Sequence, residues 1–137
     1  MSCVLRVSGA SLLVDDVLRL IPLLPSSVWH VGEPFFGPKS LNLGNCQTSG
    51  FTVTVSEKEM DDLPGQIEDA ITFLRVNAPA LAILMNHLGV EDFGLDFAVA
   101  RREDTAPAIS MHLPSALIAA AGRLRISLTI SEYETSD

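Results

Sequence analysis

The side chains in this chain best equipped for chemistry are three histidines, two cysteines and a pair of aspartates on one strand pattern. His30, His87 and His112 could bind a metal or carry a proton if they converged. They fall in three different predicted elements, and a metal site needs convergent ligands with a supporting shell. They therefore read as three separate structural or surface residues. Cys3 and Cys46 lack neighbouring histidine partners and do not make a metal site. Asp92 and Asp96 share one strand face, with Gly94 between them. A carboxylate pair can divide acid and base roles, but Asp alternating along the solvent face of a strand usually serves solubility. The sequence has no phosphate-binding glycine loop, no paired-His helix motif and no Gly-x-Ser-x-Gly elbow. The expectation is no catalytic set, no metal and no cofactor.

Two other stretches could carry function by binding. GEPFFGPKSLNLGNCQTSG, residues 32–50, is a long segment with no clear period and no expected helix or regular strand. Loops this long in compact domains usually have a role. Phe35 and Phe36 sit between Pro34 and Gly37, and Trp29, the only tryptophan, lies just upstream. Aromatic side chains typically anchor protein interfaces. The competing reading folds both phenylalanines back as a lid over a sheet edge. The second stretch is the acidic group Glu57, Glu59, Asp61 and Asp62, which precedes a helix. Carboxylates are stabilised near a helix N-terminus, and the same group could receive Lys and Arg from a partner. Trp29, Phe35, Phe36, Glu57, Glu59, Asp61 and Asp62 are thus the candidate partner-binding residues. A strand separates the two stretches by roughly 20 Å at about 3.3 Å per residue.

Composition limits the partner. The chain has 137 residues, which fits a single domain over 1–137, and it is 47% hydrophobic and 19% charged. That is a folded globular composition with an aliphatic core. A net charge of -8 argues against a nucleic-acid ligand, which requires Lys and Arg against phosphates. It suits a basic protein partner. No apolar run is long enough to span a bilayer, and Asp15 and Asp16 interrupt the apolar N-terminal stretch, which lacks a positive n-region. The expected location is cytoplasmic with reduced thiols.

The elements that must position these residues follow from periodicity. Residues 3–8, 28–31, 50–56, 93–99, 108–113 and 126–131 alternate or run as strands. Val14, Val17, Leu18 and Ile21 share a helical face that ends at Pro22. Ile67, Ile71, Leu74, Ala78, Leu81, Met85 and Leu88 keep one face across Pro79, which predicts a bent helix or two abutting helices with Asn77 capping the second. Pro114 opens a last helix and Gly122 closes it. The order is β-α-β-β-α-β-β-α-β. The fold class is α+β, a mainly antiparallel sheet with helices on one face. Its other face carries Thr52, Thr54, Ser127, Thr129 and Ser131 and can stand in water.

Three blocks, SLLVDDVLRLIPLLPSSVWHVGEP, TSGFTVTVS and LPGQIEDAITFL, together with a closing strand and Tyr133, resemble a bacterial family known as domain of unknown function number four-two-seven-nine. The resemblance covers most of the chain. It implies a stand-alone cytoplasmic α+β domain, and some relatives look like immunity proteins, which neutralise a toxin by binding it. It transfers no catalytic residues. The leading expectation is a non-enzymatic protein-binding module, an immunity-type inhibitor of a basic toxin domain. The alternatives are a small-molecule-binding domain or enzyme with a pocket between sheet and helices, and a homodimer pairing through an exposed strand.

Overall fold

The computed structural model describes residues 2–36, 41–101 and 110–134. Five strands form the main sheet: β1 (Cys3–Gly9), β2 (Ser27–Trp29), β5 (Ser49–Ser56), β6 (Asp92–Ala100) and β7 (Ser127–Tyr133), in the spatial order β2-β5-β1-β6-β7. The joins β2–β5, β5–β1 and β1–β6 are antiparallel, and β6–β7 is parallel. The parallel join follows from helix α4 (Ser115–Arg123), which returns the chain between β6 and β7, as a crossover must. The class is α+β, as the alternation and the intervening helices predict.

Period-two alternation sets the two faces. Val53, Leu5, Leu95 and Leu128 form one cross-strand row, and Phe51, Val7 and Phe93 form the next. These rows join one hydrophobic cluster with Val14 and Val17 of α1 (Val14–Leu20), Ile67 and Leu74 of α2 (Leu63–Val76), Leu81 and Leu84 of α3 (Ala78–Met85), and Leu117 of α4. Each such aliphatic side chain, fully buried, stabilises the fold by about 1.5–3 kcal/mol. The opposite face carries the row Thr54, Val4, Asp96 and Thr129. Asp96 accepts a bond from Ser131 Oγ at 2.7 Å and faces Arg6 at 3.7 Å, so its carboxylate is held within the polar face.

The observed order differs from the expected one at two places. The segment after Gly32, expected without regular strand, contains a small hairpin of β3 (Pro34–Phe36) and β4 (Asn42–Asn45). Pro34 is tolerated because it stands first in a peripheral strand, and Gly44 adopts φ +109. Of the strand expected at 108–113, residues 108 and 109 lie outside the described residues, and 110–113 carry no strand. Both edges of β6 are already taken, by β1 and β7. The long helical pattern divides into α2 and α3 at Asn77, just before Pro79. Asn77 does not cap α3 through its side chain; its Nδ2 instead donates to Phe73 O at 3.0 Å. Leu88 lies past the end of α3 and is exposed.

Gln66 is a fully buried polar anchor of α2. Its Nε2 donates to Glu59 O at 3.1 Å and Ala98 O at 2.9 Å, which ties the helix to the preceding connector and to β6. Among the described residues, no helix is long and apolar enough to cross a membrane.

Candidate protein-interaction surface

The chain leaves β2 through a tight turn, His30–Val31–Gly32–Glu33. Glu33 N donates to His30 O at 3.1 Å, and Gly32 takes φ +89, a conformation glycine adopts without steric cost. The hairpin starts there. Its base is closed by Gly32 N to Cys46 O at 2.9 Å and Cys46 N to Glu33 O at 2.7 Å. β3 and β4 pair with each other and with no strand of the five-stranded sheet. Phe35, Phe36, Leu41 and Leu43 stand on this ribbon with 54 to 62% of their surface exposed. Exposed large apolar side chains concentrated on one short ribbon are the chemistry of a docking surface.

The base of the ribbon is held by charge. His30 Nε2 donates to Asp15 of α1 at 3.1 Å, and Nδ1 donates to Glu33 Oε1 at 2.8 Å. The same Glu33 oxygen accepts the His30 backbone N–H at 2.6 Å. With a carboxylate at each ring nitrogen, the doubly protonated imidazolium is the form that satisfies both contacts. The bonds to Asp15 and then Glu33 raise the His30 pKa above its ordinary value, and the bond from His30 lowers that of Glu33. Asp16, beside Asp15, pairs with Arg19 at 2.9 Å. Leu12 to Asp16, His30 and Ser49 line a shallow depression of about 200 Å³, smaller than the roughly 300–1,000 Å³ of typical small-molecule sites.

Trp29 is half-buried and lies over the polar side of the sheet at Gly50, its antiparallel partner residue. Its indole N–H donates to Thr48 at 3.2 Å. The tryptophan therefore joins β2 to the strand that follows the hairpin.

The acidic connector stands at the other end of β5. The hairpin returns to the sheet near Ser49, and Glu57 follows Ser56, so the eight-residue strand separates the two by roughly 23 Å at about 3.3 Å per residue. Glu57, Glu59 and Asp61 are exposed. Asp62 is occupied within the fold, because its Oδ1 accepts Gly65 N at 3.0 Å as the N-cap of α2. The structure thus places Trp29 on the main sheet one turn ahead of the hairpin that carries Phe35 and Phe36, and Glu57, Glu59, Asp61 and Asp62 at the far end of β5.

The residues weighed for catalysis fall apart similarly. His30 is engaged with carboxylates, His87 Nδ1 accepts Gly89 N at 3.1 Å, and His112 is exposed ahead of α4. The depression at His30 includes neither other histidine, nor Asp92 or Asp96. Among the described residues, no three His, Cys, Asp or Glu side chains are grouped to hold a metal. Cys3 is buried at the Ser56 end of β5, and Cys46 precedes its Ser49 end; both are free thiols. Burial, with Asp96 and Asp69 nearby, pushes the Cys3 thiol up to about 12.

Sequence reasoning missed Asp15, Glu33, Leu41 and Leu43 as parts of this surface. The His30-x-Gly32-Glu33 spacing was the available signal for the turn. Asp15 reaches it only through the tertiary placement of α1. Comparison of the chain with protein-family models, curated proteins and solved structures finds no match.

Proposed function

We propose that this protein is a non-enzymatic protein-binding module that docks a basic partner through the β3–β4 hairpin, in the manner of an immunity protein that neutralises a toxin by binding it. The observation that carries this reading is the hairpin itself, with Phe35, Phe36, Leu41 and Leu43 more than half exposed on an element outside the main sheet. Its phenylalanines supply the apolar anchor. The chain's net charge of -8 favours Lys and Arg on the partner and speeds encounter. Glu57, Glu59 and Asp61 belong to the same interface only for a partner broad enough to reach along β5.

A photo-crosslinking residue at position 36, introduced in the protein's native cells, tests the reading. The expected result is a discrete adduct with one basic protein. That adduct disappears when Phe35→Asp is added, and it is absent with the crosslinker at Thr129 on the polar sheet face. Equal adducts at positions 36 and 129, or none at 36, would overturn it.

A further inference from the structure

We propose that His30 is a proton-operated clamp that fixes the base of the β3–β4 hairpin to helix α1 and lets go when its ring loses a proton. The consequence for docking rests on the function proposed above; the clamp itself does not.

The geometry assigns the two halves of the clamp different jobs. The Glu33 contact is local, closing a four-residue turn, and the same oxygen also holds the His30 backbone N–H. The Asp15 contact crosses from the turn to α1, between partners 15 residues apart in the chain. A neutral imidazole keeps one N–H. The Glu33 contact, at 2.8 Å, is shorter than those to the two Asp15 oxygens, at 3.1 and 3.2 Å, so Glu33 retains the Nδ1 proton. The proton lost is the one on Nε2, and the bare nitrogen then faces the Asp15 carboxylate with no donor between them. The link between hairpin and helix is therefore the bond that breaks.

The surroundings favour this sense. Facing His30 from α1 is Asp15, with Asp16 beside it on the rim of the same depression. The one other cation in these contacts among the described residues, Arg19, is taken up by Asp16. From the turn comes Glu33, and across the hairpin base stands Cys46, tied through its backbone. From β5, the Ser49 hydroxyl accepts Val31 N at 2.9 Å. Because the folded-state pKa of His30 is raised, the clamp is fully closed at and below the ordinary histidine value. It opens as pH rises through the raised one.

Nuclear magnetic resonance on the isolated chain tests the clamp without a partner. The His30 ring and the backbone amides of Gly32, Phe35, Phe36 and Cys46 are followed from about pH 5 to about pH 9, a range that brackets the ordinary histidine value. The expected result is that hairpin amide shifts move with the ring titration, and that their hydrogen-exchange protection falls at least several-fold across it. In Asp15→Asn the ring titrates at lower pH and the hairpin amides already show the high-pH pattern. In His30→Arg, which keeps its charge, the hairpin stays in the low-pH pattern throughout. Hairpin amides that ignore the ring titration, or that respond as fully in Asp15→Asn, overturn the clamp. Loss of the position-36 adduct while the clamp titrates as described would instead remove the docking function and leave the clamp standing.

Discussion

The Trp29 indole occupies the space that a side chain at residue 50 would need: a Cβ added to Gly50 would lie 2.6 Å from Trp29 Cζ2 and closer still to the Val7 carbonyl oxygen. The glycine at the start of β5 is there so that the tryptophan can cross the strand and reach Thr48.

Gly50→Ala should therefore destabilise the fold by about 1–3 kcal/mol, the usual cost of overfilling a close-packed site. The Val7 oxygen belongs to a central strand, so relief requires β5 to shift against β1 as well as the indole to move. Urea melts read the loss, and a red shift of the single-tryptophan emission reads the displacement. Unchanged stability and emission would show that Trp29 does not rest on the strand.

Helix α4 ends in an arrangement that normally employs glycine. Ile126 N donates to Ala121 O at 2.9 Å and Arg125 N to Gly122 O at 3.1 Å, while Arg125 takes φ +55. These are the two bonds of a Schellman ending with arginine in the left-handed position. Arg125→Gly should raise stability by about 0.5–1 kcal/mol, since glycine takes this conformation without a Cβ penalty. A measurable loss in denaturant melts would contradict that geometry.

That helix end also shows where sequence reading stopped. Gly122 looks like a terminator, yet the helix runs on to Arg123, because the buried Ile126 and Ala121 decide where the turn forms. The sheet was legible, since the alternation of Leu5, Phe51, Leu95 and their neighbours is both local and strong. The split at Pro79 was legible for the same reason. The hairpin was not, because β3 and β4 have only each other to pair with and too few residues to show a period. The candidate site was half legible. Phe35 and Phe36 stand out by residue type, whereas Asp15 meets His30 only after α1 has folded against the sheet.

The Cys3 thiol gives a pH dependence with a definite sign. Its pKa is raised from 9.0 to about 12, chiefly by burial. Below about pH 9 the thiol is neutral in both states and its contribution is intact. Between about 9 and 12 the unfolded chain releases the proton and the folded chain keeps it, so stability falls as pH rises. Urea midpoints of the parent should drop faster than those of Cys3→Ala over about pH 9 to 11. In native protein at about pH 8, a thiol reagent should modify the half-buried Cys46 well before Cys3. Parallel pH profiles for parent and variant would show that Cys3 ionises freely.

The central claim is that Phe35 and Phe36 are presented to a partner and contribute little to the core. Its most direct test is the equilibrium urea unfolding of the Phe35→Ser, Phe36→Ser double variant beside the parent. Surface positions predict a stability within about 0.5 kcal/mol of the parent. A loss on the order of 3 kcal/mol or more, as for phenylalanines taken out of a core, would contradict the claim and make the hairpin a lid.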